Sequence, residues 1–295
     1  MKKIFLILSV IAFATISSSA HHKLLKAPSK SLKSAQADDA VVLQALLDKG
    51  GVINLPAGKT FTISRTVYLK YNAEIIYGNM CTINYTGTDA AIDFQRIGGK
   101  FFPVRNTISD LSINISSPGA IGIRWQCSSS SLKNCGISLK ADNEIGVQLW
   151  GDVGGSGSYY NLFENCFVQG SRQAGSAGQY GWKFTYDQST PSRCPNTNMW
   201  VGGRVGQCDV GMYINGNGNV VDHIATEGCG VSFFFDNPDS KVGCVSNKVL
   251  NPYIESCKTG FRFGSNSIGC IATKPYATST PSMKEDMGSK NEYTQ

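Results

Sequence analysis

The feature that most constrains this chain is a short pattern repeated along its middle. A small residue, an apolar residue, any residue and a second apolar residue stand together at Ala91-Ile92-Asp93-Phe94, Gly122-Ile123-Arg124-Trp125 and Gly146-Val147-Gln148-Leu149. The pattern returns at Gly181-Trp182-Lys183-Phe184, Gly211-Met212-Tyr213-Ile214, Gly230-Val231-Ser232-Phe233 and Gly260-Phe261-Arg262-Phe263, in steps of 19 to 35 residues. A second pattern lies between the copies. Asn161-Leu162-Phe163-Glu164-Asn165, Asn198-Met199-Trp200-Val201-Gly202, Asn219-Val220-Val221-Asp222-His223 and Asn247-Lys248-Val249-Leu250-Asn251 share one plan. Three residues after each comes Val168, Val205, Thr226 or Ile254; Asn134 before Ile137 and Asp110 before Ile113 extend the series.

Each unit therefore holds two short alternating runs separated by a turn. Alternation with period two marks a strand with one buried face. Short strands in repeats of about 20–30 residues, with loops absorbing the differences in length, predict a solenoid of stacked rungs. No unit has a sustained 3.6-residue periodicity, which excludes a helical repeat. An antiparallel sandwich would not need the same turn residue at the same register in every unit. The expected fold is all-β, a right-handed parallel β-helix. Asp38 to Asp48 reads as an amphipathic helix with an Asp N-cap and Gly50-Gly51 as its stop. Such a helix would cover the open end of the solenoid, whose strands would otherwise be exposed edges.

These residues resemble a known family. The order Asp38-Asp39, a helix, Gly50-Gly51, then Leu55-Pro56-Ala57-Gly58 before Thr60 and Ile63 is similar to the start of pectate-lyase-superfamily β-helices. That group includes phage tailspikes and rhamnogalacturonase/epimerase-like proteins. The rung from Asn251 to Phe263, with Pro252-Tyr253-Ile254-Glu255 and Thr259-Gly260-Phe261, is similar to tailspike-type rungs. The resemblance covers residues 36–270 and implies a carbohydrate polymer as partner, with lyases, hydrolases and non-catalytic binders all sharing the scaffold. Residues 271–295, polar and without periodicity, read as a loose tail.

Lys2 and Lys3 precede an apolar run from Ile4 to Ile16, and Ser18-Ser19-Ala20 follows as a small-x-small site. Residues 1–20 thus read as a secretory signal peptide and 21–35 as a linker, with a permanently anchored N-terminal helix as the alternative. The apolar run is shorter than the roughly 20 residues a span needs, so no stable membrane insertion is expected. Removing Lys2 and Lys3 lowers the net charge from +6 to +4. No basic cluster tracks a phosphate backbone, which argues against nucleic acid as a partner. Of the ten cysteines the repeat places five at stacked positions (Cys135 with Cys166; Cys208, Cys229 and Cys257), which favours ladders of mostly free buried thiols, with disulfides between adjacent members as the alternative. Cys194 and Cys244, in long connections, are the better candidates for a bridge.

Register also assigns candidate site residues. With Val205, Thr226 and Ile254 facing inward, Gln169, Gly206, Glu227 and Glu255 face outward, and so do Phe167, Arg204, Ala225 and Tyr253. Stacked carboxylates about 5 Å apart match the separation of retaining glycosidases, which makes Glu227 and Glu255 the candidate acid/base or nucleophile. Arg204, Tyr253, Phe167 and Gln169 would hold the sugar. Trp150, before a glycine-rich stretch, is a further candidate platform, whereas Trp125 and Trp182 fall at inward positions. His223 occupies the turn position of Asn134, Asn165 and Asn251, which favours a structural role. A lyase would need a base such as Arg or Lys facing an acidic sugar; Arg124, Lys183 and Arg262 share an outward column but are spread over several rungs. No Cys-x-x-Cys pair and no cluster of three aspartates occurs, so neither a metal nor another cofactor is expected. The functional expectation is a secreted protein that cleaves a polysaccharide, with a non-catalytic glycan-binding, adhesin or tailspike-like module as the alternative.

Overall fold

The computed structural model describes residues 38–94, 103–151, 157–171, 178–187, 194–238 and 242–294. The expected signal peptide and linker lie outside the described residues, as do residues 152–156, 172–177 and 188–193 of the long connections.

One rung shows the plan of all. Its first limb, Met199–Val201, lies parallel between Leu162–Glu164 and Val220–Asp222. After a turn the second limb, Arg204–Gly206, lies between Phe167–Gln169 and Ala225–Glu227. The third, Val210–Ile214, lies between Tyr180–Tyr186 and Val231–Phe235. First and second limbs build a 17-stranded sheet, and third limbs a nine-stranded one. The chain winds as a right-handed parallel β-helix, the hand that parallel crossovers adopt.

The turn between first and second limbs explains the recurrent asparagine. Its residue is left-handed in six successive rungs: Asp110 (φ 55°), Asn134 (51°), Asn165 (50°), Gly202 (65°), His223 (53°) and Asn251 (48°). Gly, Asn and Asp bear this conformation at least cost. Exposed amides also tie rung to rung: Asn134 Nδ2 donates to Asp110 Oδ1 at 3.2 Å, and Asn165 Nδ2 to Asn134 Oδ1 at 3.0 Å. His223 holds the same position with its side chain largely in solvent and Nδ1 2.7 Å from Asp222, a scaffold residue as expected.

The other recurrent asparagine, at the entry to the first limb, is buried. Asn161 Nδ2 donates to Asn198 Oδ1, Asn198 Nδ2 to Asn219 Oδ1 and Asn219 Nδ2 to Asn247 Oδ1, each at 2.9 Å. Each of those oxygens also accepts the backbone N–H of the preceding asparagine, at 3.0–3.1 Å. The second amide proton goes to a carbonyl: Cys127 for Asn161, Ser158 for Asn198, Pro195 for Asn219. The motif thus satisfies backbone groups that the solenoid buries where it turns a corner.

The repeated small residue has a steric cause. A Cβ added to Gly122, Gly146 or Gly181 would stand 2.8, 2.6 or 2.4 Å from a methyl of Ile137, Val168 or Val205. The third limb passes too close to the second for any side chain there. Behind it the inward residues stack, with Trp125, Trp182 and Trp200 all in the core, the first two as expected. Phe163 and Phe184 lie at 4.6 and 4.7 Å on Trp200, and Phe235 at 4.9 Å on Phe263.

Three expectations are corrected. The helix is shorter, Ala40–Leu47, and its first turn is tied down by side chains from outside it. Asp38 accepts the Ala40 N–H and the Ser64 hydroxyl, while Asp39 accepts the Thr62 N–H. Ala40, Leu43 and Leu47 close the N-terminal end of the core. Residues 271–294, read above as a loose tail, form the strands Ile271–Thr273, Tyr276–Thr278, Ser282–Asp286 and Glu292–Thr294 in register with the rungs before them. Lys284 and Asp286 occupy the inward positions held by Phe261 and Phe263 one rung earlier, and they pair at 3.1 Å. Apolar alternation fades there although backbone pairing continues. Finally, all ten cysteines are buried and free, and Cys194 and Cys244 form no bridge. They serve as small apolar fillers of the stack, with the Cys229 N–H donating to Cys257 Sγ at 3.3 Å.

Replacing Asn219 by Ala would leave the amides of Asn198, the Pro195 carbonyl and Asn247 Oδ1 short of partners in the interior. Urea denaturation is expected to show a loss of about 3 kcal/mol or more, since several buried groups are stranded at about 1–3 kcal/mol each. Asn251→Ala, in the exposed turn, should cost only about 1–2 kcal/mol for its left-handed backbone.

Candidate functional site

Second limbs present two outward columns. One runs Gly136, Phe167, Arg204, Ala225, Tyr253, Tyr276, and the other Ser138, Gln169, Gly206, Glu227, Glu255, Thr278. Parallel pairing spaces neighbours about 4.8 Å apart. The structure therefore brings six of the seven expected residues (Phe167, Gln169, Arg204, Glu227, Tyr253 and Glu255) onto one face.

Their contacts follow from what the columns omit. Gly206 leaves a gap into which its neighbours lean: an added Cβ would meet Gln169 Oε1 at 2.6 Å and the Arg204 guanidinium at 3.4 Å. Across this gap Arg204 Nη2 reaches Glu227 Oε2 at 2.6 Å, an ion pair between adjacent rungs. Arg204 Nε is left without a partner among the described residues. Gln169 Nε2 donates to the Gly170 carbonyl and to Gln207 Oε1, both at 3.0 Å. The Tyr253 hydroxyl donates to Glu255 Oε2 at 2.7 Å, and its ring stacks on Tyr276 with centroids 5.3 Å apart. That hydrogen bond to a carboxylate pushes the Tyr253 phenol up to about 12.

Beside the charged cluster lies an open depression of about 340 Å³, floored by Ser112, Asn114, Gly136 and Ser138 and bordered by Phe167 and Gln169. Phe167 is 46% exposed, an aromatic surface where the depression meets Arg204. The face thus combines an aromatic ring, neutral hydrogen-bonding side chains, a cation and two carboxylates, the inventory that orients a polyhydroxylated ligand.

Trp150 does not join it. It lies half-buried on the third limb, paired in register with Thr185, on the outer face of the nine-stranded sheet. Its place after Leu149 told of exposure but not of which sheet it faces from. Sequence reasoning in turn missed Tyr276 and Thr278, which extend both columns. Their signal was present: Pro275-Tyr276-Ala277-Thr278 repeats the plan of Pro252-Tyr253-Ile254-Glu255.

No family model matches the sequence, and no curated protein matches it. Solved structures do. The ORF18 protein of Geobacillus virus E2 superposes with a TM-score of 0.63 at 13% identity, over 88% of this chain and 58% of the viral one. The likeness is one of fold, the parallel β-helix described above. An alginate lyase from Paenibacillus sp. str. FPU-7 (TM-score 0.49, 12% identity, 85% of this chain and 97% of that one) shares the winding more loosely. So does an endo-xylogalacturonan hydrolase from Aspergillus tubingensis (0.49, 10%, 89% and 91%). At 13% identity the ORF18 likeness shows the fold alone and transfers no residue roles to this β-helix.

The Tyr253–Glu255 bond makes a spectroscopic prediction. In an NMR titration the Tyr253 ring is expected to ionise near pH 12, and in Glu255→Gln to fall back toward the ordinary tyrosine value of about 10. Equal values in both proteins would show that the bond does not form.

Proposed function

We propose that this β-helix is a secreted protein that binds a polysaccharide along the outward columns of its second limbs and cleaves it at Glu227 and Glu255. The observation that carries the reading is the register of those two carboxylates, on adjacent rungs beside Phe167, Arg204 and Tyr253. Their backbone spacing of about 4.8 Å is near the 5–5.5 Å carboxyl separation of retaining hydrolases, and short of what an inverting enzyme needs to admit water.

The partners divide the roles. Glu227, ion-paired to Arg204, is the nucleophile that attacks the anomeric carbon. Glu255 in its protonated form gives a proton to the leaving oxygen, and as the carboxylate that accepts the Tyr253 hydroxyl it later takes one from the water that hydrolyses the glycosyl ester. Phe167 and Gln169 hold the preceding sugar units over the depression. Secretion is supported by the pattern of Lys2-Lys3, the apolar run and Ser18-Ser19-Ala20. No helix among the described residues is long and apolar enough to cross a membrane.

A second reading, a glycan-binding module without turnover, is favoured by one observation: the depression ends at Phe167 and Gln169, and neither carboxylate lines it. Assays of new reducing ends and of unsaturated uronate, across acidic and neutral polysaccharides, separate the two. Under the enzymatic reading wild-type protein releases reducing ends without unsaturation, and Glu255→Gln lowers kcat by about 10²–10⁴-fold while retaining binding. Unsaturated products would replace hydrolysis by elimination. Binding without any product would establish the module.

A further inference from the structure

The nine-stranded sheet carries a cleft of different chemistry. Its outward column runs Arg124, Gln148, Lys183, Tyr213, Phe234, Arg262, Glu285. Two of its three cations are neutralised within the protein. Arg124 Nη1 lies 2.8 Å from Asp93 and its Nη2 bonds Asp89, while Arg262 Nε lies 2.6 Å from Glu285. Lys183 has no carboxylate partner among the described residues. It is half-buried, its Nζ 4.4 Å from the centroid of the Tyr180 ring, and burial alone holds its amine below the usual lysine range.

Lys183 opens into a cleft of about 430 Å³, within the size range of small-ligand sites, bounded also by Tyr180, Thr185, Tyr213, Asn215 and Asp236. The rings form an edge-to-face wall, with Tyr180 and Tyr213 at 6.2 Å and Tyr213 and Phe234 at 5.3 Å. Asn215 is only 2% exposed, yet its Oδ1 has no hydrogen-bond partner among the described residues. A buried acceptor left unpaired and a cation half out of water are both costly, and both line the same space. Asp236 stands two rungs from Lys183, about 10 Å along the axis, with Oδ1 accepting the Asn266 N–H at 3.3 Å. The cleft is therefore cationic at one end and rich in acceptors at the other.

We propose that this cleft is a second saccharide site, separate from the Glu227–Glu255 face, that takes a carboxylate-bearing sugar with its carboxylate on Lys183 and its hydroxyls on Asn215 and Asp236. The carboxylate supplies the anion that Lys183 lacks, and the hydroxyls supply the donors that Asn215 and Asp236 accept. The separation of the two ends keeps the sugar carboxylate away from Asp236. Trp150, paired with Thr185, stands at the edge of this cleft. Of the four tryptophans it is the one not fully buried, so its fluorescence reports on this face.

The test uses the full chain with Glu227→Gln and Glu255→Gln, so that neither turnover nor the first face's carboxylates contribute. Trimers of galacturonate, mannuronate and glucuronate, and their carboxyl-reduced neutral counterparts, are titrated by calorimetry and tryptophan fluorescence. At least one uronate trimer is expected to bind and change the emission, with its neutral counterpart about tenfold or more weaker, as loss of a charge-assisted hydrogen bond implies. Lys183→Gln should weaken that trimer to the same degree with an unchanged thermal midpoint, and Lys183→Arg should retain it. Bound trimer should also slow carbamylation of Lys183 by cyanate, read by peptide mass, which needs no variant. Failure of every uronate trimer to bind, equal binding of the neutral counterpart, or unchanged affinity in a folded Lys183→Gln protein would each overturn the proposal. None of these outcomes bears on cleavage at Glu227 and Glu255, which is read from product formation.

Discussion

Everything in this molecule depends on successive rungs lying in one register, and the buried asparagine ladder is the interaction that holds them there. Parallel pairing alone tolerates slippage, because each backbone step offers a similar set of hydrogen bonds. A slip of one residue would turn every inward side chain outward. Asn161, Asn198, Asn219 and Asn247 prevent it by closing a chain of side-chain and main-chain bonds that is complete in one alignment. Around them the rings on Trp200 and the glycines beneath Val168 and Val205 fit only in that same alignment.

Register then makes the surface predictable. Once the rungs are fixed, Glu227 must sit beside Glu255 and Arg204 must flank Ala225, whatever the loops do. The side chains use the freedom that remains: Gly206 opens the path by which Arg204 crosses to Glu227, and Tyr253 stays within its own strand to meet Glu255. The same fixed columns on the other sheet leave Lys183 between the rings of Tyr180 and Tyr213, whereas Arg124 and Arg262 find carboxylates close by.

Much of this was legible in the amino-acid order because a solenoid writes its contacts locally and repeatedly. The paired asparagines, the small residue at the start of the third limbs and the inward Trp125 and Trp182 could all be read from spacing, and so could six residues of the candidate face. Three things were not read. The last rung was missed, despite the Pro-Tyr signal it carries, because Lys284 and Asp286 take core-facing positions where no further third limb lies above them among the described residues. Trp150 was misassigned because exposure along a strand does not say which of two sheets the strand joins. The second cleft was invisible for a different reason: Lys183 stood out only when its neighbours Arg124 and Arg262 proved to be paired.

Native-state hydrogen exchange tests most directly whether the ladder sets the register. The backbone amides of Asn161, Asn198 and Asn219 are expected to exchange together, at the rate of global unfolding, and more slowly than those of the exposed turn residues Asn134, Asn165 and Asn251. Ladder amides that exchange rung by rung, as fast as the turn amides, would contradict the account and place the control of register elsewhere.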